Sequence, residues 1–172
     1  MNIGIALSGG GVRALIFHLG VLKRIAEENQ LKDVTQISSV SGGSLGIGLI
    51  LSVNNYKWPS SDTYLNTIIP KINSILTSKR FQRSLFWHSL FKGRLFTAKG
   101  LSLASAIKNK WSVSGKFGDL SQTPMWWVNA TNYETGVNWR FSQESVGDYL
   151  YSRNKSTSEI PISIAPDSVI ES

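Results

Sequence analysis

The N-terminal third of the chain alternates between short apolar runs and longer amphipathic ones. Ile3-Gly4-Ile5-Ala6-Leu7, closed by Ser8 and three glycines, predicts a strand that ends in a tight turn. Val34-Thr35-Gln36-Ile37-Ser38-Ser39-Val40 is rich in β-branched residues and predicts a second strand ending at Ser41. Between them, Leu15, Leu19, Leu22 and Ala26 recur with the period of one helix face, while Lys23, Arg24, Glu27 and Glu28 fall on positions that can face water. Strand, helix and strand within roughly 30 residues is the size of a crossover between parallel strands, so the pattern reads as a βαβ unit. Beyond Ser41, Leu45-Gly46-Ile47-Gly48-Leu49-Ile50-Leu51 predicts an apolar helix whose two glycines allow close packing on a sheet.

Farther on, the pattern predicts a helix over Thr63 to Thr77, interrupted or kinked at Pro70, and another over Thr97 to Trp111. A turn region over Ser112 to Thr123 leads to a strand at Met125 to Ala130, a turn at Asn132 to Gly136 and a strand at Val137 to Phe141. These read as a hairpin appended to the α/β unit. Ser152 to Ser158 is polar and reads as a loop. With no internal repeat and no linker, 172 residues at 41% hydrophobic predict one domain with one core.

Two segments carry candidate chemistry: Gly9-Gly10-Gly11-Val12-Arg13-Ala14 and Ser39-Val40-Ser41-Gly42-Gly43. Each follows a predicted strand and opens a predicted helix, which places backbone N–H groups at a helix N-terminus, where negative charge is stabilised. A serine on a sharp strand-to-helix turn needs small neighbours, and Gly42 and Gly43 supply them in the manner of the GxSxG nucleophile elbow. Ser39 stands in the place of the first glycine, so the pattern reads SxSxG, and the turn is tolerable only if that hydroxyl is accommodated. Gly9, Gly11 and Ala14 also satisfy the dinucleotide fingerprint GxGxxG/A. That reading wants an acidic residue at the end of the second strand to hold a ribose, and Val40-Ser41 stands there instead. A serine before two glycines is also ordinary turn chemistry, and Arg13 can equally be a solvated surface residue.

Taken together, the ordered pair of motifs resembles the patatin-like phospholipases, lipid acyl hydrolases with a serine–aspartate dyad. The match extends to Trp127-Val128-Asn129-Ala130-Thr131-Asn132 and Glu134-Thr135-Gly136, similar to a strand and turn that recur later in such domains. The resemblance implies an α/β, three-layer architecture: a central sheet containing parallel strands, flanked by helices, with a helical basic and aromatic insertion. It further implies that Ser41 is the catalytic nucleophile and that Gly9, Gly10, Gly11, Val12 and Arg13 form the oxyanion hole. Ser39, Gly42 and Gly43 would form the nucleophile elbow, and Ser41 would attack an ester carbonyl of a lipid or phospholipid with an aspartate as base. No cofactor and no metal is expected. In the family Ala14 is usually glycine, and the aspartate lies in an Asp-Gly dipeptide. None of the five aspartates here, Asp33, Asp62, Asp119, Asp148 and Asp167, precedes a glycine. The tail from Ile160 to Pro166 resembles the region just before that dipeptide, so the expectation is a single domain over 1–172 that stops before its base. A noncatalytic lipid-binding remnant is the alternative. Neither His18 nor His88 is expected to act as the base of a triad.

Composition adds two points. The absence of cysteine excludes disulfides and thiolate metal clusters. The net charge of +7 is concentrated: Thr63 to Gly118 holds ten Lys or Arg and no Asp or Glu. Within it, residues 79–96 interleave cations with Phe, Trp and Leu, a pattern suited to an anionic lipid interface, to a cap over a site, or to an ordinary helical subdomain. Basic and aromatic interleaving also suits single-stranded nucleic acid, but no nucleic-acid fold motif accompanies it and no such partner is expected. With neither a signal-like N-terminus nor a membrane-length apolar run, the expectation is a cytoplasmic or peripheral membrane protein.

Overall fold

A computed structural model of the chain describes residues 1–78, 115–132, 135–148 and 160–162. One five-stranded sheet runs in the order β1 (Ile3–Leu7), β2 (Val34–Val40), β3 (Met125–Thr131), β4 (Asn138–Phe141) and β5 (Val146–Gly147). β1, β2 and β3 are mutually parallel, while β3, β4 and β5 form an antiparallel meander. The sheet is therefore mixed, as the βαβ pattern and the appended hairpin require. β1 and β2 coincide with the runs read from the sequence; β5, two residues long, left no periodic signal to read.

α1 (Gly11–Glu27) buries Leu15, Leu19, Leu22 and Ala26, the face its periodicity assigned, together with His18. α2 (Gly42–Val53) is apolar nearly all round, and it is correspondingly buried from Gly42 through Leu51 except for half-buried Leu45. It starts earlier than the apolar run because Gly42, Gly43 and Ser44 wind its first turn. α1 packs on α2, and α4 (Ile69–Thr77) packs on α2 in turn. Ile37, Val128, Trp126 and Phe141 from the sheet complete the core with these helices. The opposite side of the parallel strands is more open, with Gly4, Ala6, Gln36 and Val40 exposed.

The interruption expected at Pro70 takes a specific form. A short α3 (Ser61–Thr63), capped by the Ser60 hydroxyl accepting from the Thr63 N–H at 3.2 Å, runs into a π-helical turn over Tyr64–Ile68 and then into α4. Pro70 sits in the first turn of α4. A proline in mid-helix lacks an N–H for the preceding turn and its ring presses on that turn's carbonyl, so a widened turn just before it relieves both conflicts. Residues 160–162 pair with the segment before β3, through Phe117 N–H to Ile160 O at 3.0 Å and Ile162 N–H to Gly115 O at 2.9 Å. The helix expected over 97–111, the basic and aromatic segment 79–96 and the loop 152–158 lie outside the described residues, as do Tyr133 and Glu134 of the turn at 132–136.

Tyr64 ties the π turn to α1: its buried hydroxyl donates to the Leu19 carbonyl at 2.9 Å. Burial raises its pKa well above the ordinary 10.0, since the interior disfavours the phenolate. Above pH 10 the unfolded chain loses this proton while the folded chain keeps it, so stability falls as pH rises through that range. Tyr64→Phe is expected to flatten this alkaline decline in urea titrations between pH 9 and 11. At neutral pH it should cost about 1 kcal/mol, the net value of one hydrogen bond.

Candidate active site

In a parallel sheet the strand C-termini share one edge, so Leu7 of β1, Val40 of β2 and Thr131 of β3 end together, and the loops after β1 and β2 become neighbours. Gly10, with φ 136, and Gly11, with φ 64, turn the chain from β1 into α1 through conformations that favour glycine. After β2 the chain reverses at Ser41, a non-glycine residue with φ 49 and ψ −116. Such a backbone costs on the order of 1–3 kcal/mol and persists only where its surroundings hold it.

Those surroundings are glycine backbone. A Cβ on Gly42 would run into the Gly11 carbonyl, and one on Gly43 would lie 2.7 Å from Leu7 Cβ and 2.8 Å from Leu7 O. A Cβ on Gly9 would lie 3.4 Å from Ser41 Cβ. The two segments singled out in the sequence are thus in direct contact, main chain against main chain. The N–H groups of Gly11, Val12 and Arg13 form the first turn of α1 and have no partner within the helix. Ser41 is half-buried and caps α2 through its backbone alone, since its side chain makes no capping hydrogen bond. A hydroxyl that does not cap its own helix, set beside helix N-termini whose N–H groups can hold developing negative charge on a reacting carbonyl, is an arrangement suited to attack on that carbonyl.

Ser39 is accommodated by a buried polar cluster. Its Oγ accepts from the Trp126 indole N–H at 2.8 Å and shares a hydrogen bond with Ser44 Oγ at 2.9 Å. Both serines are 1% exposed, so these bonds replace water for the hydroxyl that stands in place of the elbow's first glycine. On the other side of the sheet, Asn129 Nδ2 donates to Ser38 Oγ at 3.0 Å and to the Ser39 carbonyl at 3.1 Å. Ser44, Trp126 and Asn129 were not marked as site residues by sequence alone.

His18 is buried, with Nε2 3.3 Å from Ser8 Oγ and 3.1 Å from Ser8 O, and it steadies the start of the glycine loop. Asp33, Asp62 and Asp119 are engaged elsewhere. Asp33 precedes β2 and meets the N-terminal amine, and Asp119 accepts from the Lys116 N–H ahead of β3. Both therefore lie toward the sheet edge opposite Ser41. Asp62 accepts from Asn66 Nδ2 at 2.7 Å. Among the described residues no group of His, Asp or Glu is disposed to hold a metal ion, and no helix is long and apolar enough to cross a membrane.

The family model for patatin-like phospholipases matches residues 5–121, more than half the chain, a stretch that spans the glycine loop and the elbow. The chain belongs to the patatin-like phospholipase family. No curated protein sequence matches it. Among solved structures, human GIVD cytosolic phospholipase A2 with methyl gamma-linolenyl fluorophosphonate matches with a TM-score of 0.58 at 17% identity, covering 94% of this chain and 28% of that one. The same protein with that inhibitor and terbium chloride gives 0.60 at 17% identity over the same shares, 94% and 28%. A third structure of it gives 0.53 at 16% identity, covering 85% and 23%. These similarities establish a shared fold, and the chain spans less than a third of the length of the proteins it matches.

Proposed function

We propose that this chain carries the nucleophile and oxyanion hole of a lipid acyl hydrolase that cleaves carboxylic ester bonds of phospholipids through an acyl-enzyme intermediate. The observation that carries this reading is the contact between the Gly9–Arg13 loop and the strained Ser41 elbow, in a family whose members act on lipids. Ser41 Oγ attacks the ester carbonyl carbon and its proton passes to a carboxylate base. Amides of the first turn of α1 hold the resulting oxyanion, a type of donor whose removal typically costs about 3–4 kcal/mol of transition-state stabilisation. Collapse of the tetrahedral species expels the lysolipid alkoxide, which takes the proton, and water then releases the fatty acid and restores Ser41. No Asp-Gly in this sequence supplies that base, and Asp33, Asp62 and Asp119 bind elsewhere. Exposed apolar side chains support a lipid substrate: Val40 is 40% exposed next to Ser41, and Ile16 and Phe17 are 54% and 67% exposed on α1.

Incubation with phosphatidylcholine vesicles and mass analysis of the products tests the reading. Slow release of free fatty acid and lysolipid in equal amounts is expected, because the sequence offers no Asp-Gly base to speed it. Vesicle binding by folded protein without product would replace it with the noncatalytic lipid-binding reading.

A further inference from the structure

We infer that Trp126 and Asn129, both on β3, are positioning residues that set the geometry of Ser41 by gripping β2 from its two faces. The inference rests on the reading of Ser41 as the nucleophile. β3 lies parallel to β2 with Val128 opposite Ser39 and Asn129 opposite Val40. Side chains alternate between faces along a strand, so Trp126 is the diagonal neighbour of Ser39 on the helix-covered face, and Asn129 stands on the open face with Ser38 and Val40.

On the covered face, the indole N–H of Trp126, a residue 2% exposed, donates to Ser39 Oγ, and Ser39 Oγ meets Ser44 Oγ. Ser39 lies on the strand leg of the elbow and Ser44 on its helix leg, so this chain of bonds closes across Ser41. On the open face, Asn129 holds the Ser39 carbonyl and the Ser38 hydroxyl. A residue at φ 49 stays strained only if the legs on either side of it are fixed, and these side-chain bonds help to fix the strand leg. The substitution of serine for the elbow's first glycine is thus coupled to a tryptophan: Ser39 supplies the acceptor without which the buried indole N–H is unsatisfied.

The test is the rate of covalent labelling by an alkyl fluorophosphonate, separated into the saturating rate kinact and the half-saturation concentration KI, for wild type, Trp126→Phe, Ser39→Ala, their double variant and Asn129→Ala. Phenylalanine keeps a ring against Phe117, whose centroid lies 5.8 Å from that of Trp126, and removes the N–H. Each single variant is expected to lose about tenfold in kinact with KI unchanged, since a misplaced nucleophile slows the bond-forming step while reagent binding is retained. The Ser39→Ala/Trp126→Phe double variant should be no slower than either single one, because both lack the same bond. Loss of packing alone would not reproduce that shared defect. Should Trp126→Phe fail to fold, Ser39→Ala and Asn129→Ala decide the matter. Wild-type kinact in folded single variants, or multiplying defects in the double, overturns the inference alone. A folded wild type that is not labelled overturns the reading of Ser41 and the inference with it.

Discussion

Ser41→Ala is expected to abolish covalent labelling of the folded chain by an alkyl fluorophosphonate, with a loss on the order of 10⁴-fold or more in rate. On the proposed reading of Ser41 as the nucleophile, the substitution removes the atom that forms the covalent bond, and the helix N–H groups that would remain cannot substitute for it. The same substitution should leave stability within about 1 kcal/mol of wild type, because the Ser41 side chain caps nothing and alanine meets the same steric conflict at φ 49. Ser41→Gly separates the two roles further. It is equally unreactive, yet it is expected to be more stable than Ser41→Ala by about 1 kcal/mol, since glycine adopts positive φ without a Cβ clash. Intact mass gives the labelling and urea unfolding gives the stability. Labelling that survives in Ser41→Ala would move the nucleophile to another residue.

Gly42→Ala is expected to be the most damaging single-methyl addition among the described residues of the site. The new Cβ would meet the Gly11 carbonyl, main chain that is itself locked at the start of α1, so neither partner can rotate away. Overpacking against backbone should cost about 3 kcal/mol or more, which lowers the melting temperature of a chain this size by roughly 6–12 °C. Labelling of Ser41 should fall with it, because relief of the clash separates the first turn of α1 from the elbow. Gly20→Ala is the matched control: it lies in α1 with nothing within 4 Å of its would-be Cβ, and it should stabilise the helix by about 0.5–1 kcal/mol. Equal melting temperatures for Gly42→Ala and wild type would mean that the loop and the elbow are not held in contact.

Both expectations depend on short-range sequence patterns whose structural form was legible. The βαβ unit, the buried face of α1 and the glycine turn that opens α1 were readable because each depends on neighbours in the chain: apolar residues at a helical or strand period, and glycine where φ is positive; the elbow was readable from the small residues that follow Ser41, whose own positive φ was not. The contact of the glycine loop with the elbow followed from the same pattern, because a parallel crossover brings both loops to one sheet edge. The π turn ahead of Pro70 was legible as an interruption only, since its form depends on how Tyr64 and Ile68 bury themselves against α1 and the other helices.

The partners of Ser39 were not legible. Trp126 is 87 positions away and Asn129 is 90 positions away from it, and each meets it only through the register of two parallel strands. A shift of one residue would turn each side chain to the other face, so register is decided by the simultaneous packing of Ile37, Trp126 and Val128 against the helices. The same applies to the aspartates, whose type is written in the sequence but whose distance from Ser41 is not. By itself, then, the sequence determined the strand–helix alternation, the glycine loop and the elbow, because these are local consequences of period and steric freedom. Only the tertiary structure decided what surrounds the serine, because those contacts join residues whose proximity arises from burying one shared core.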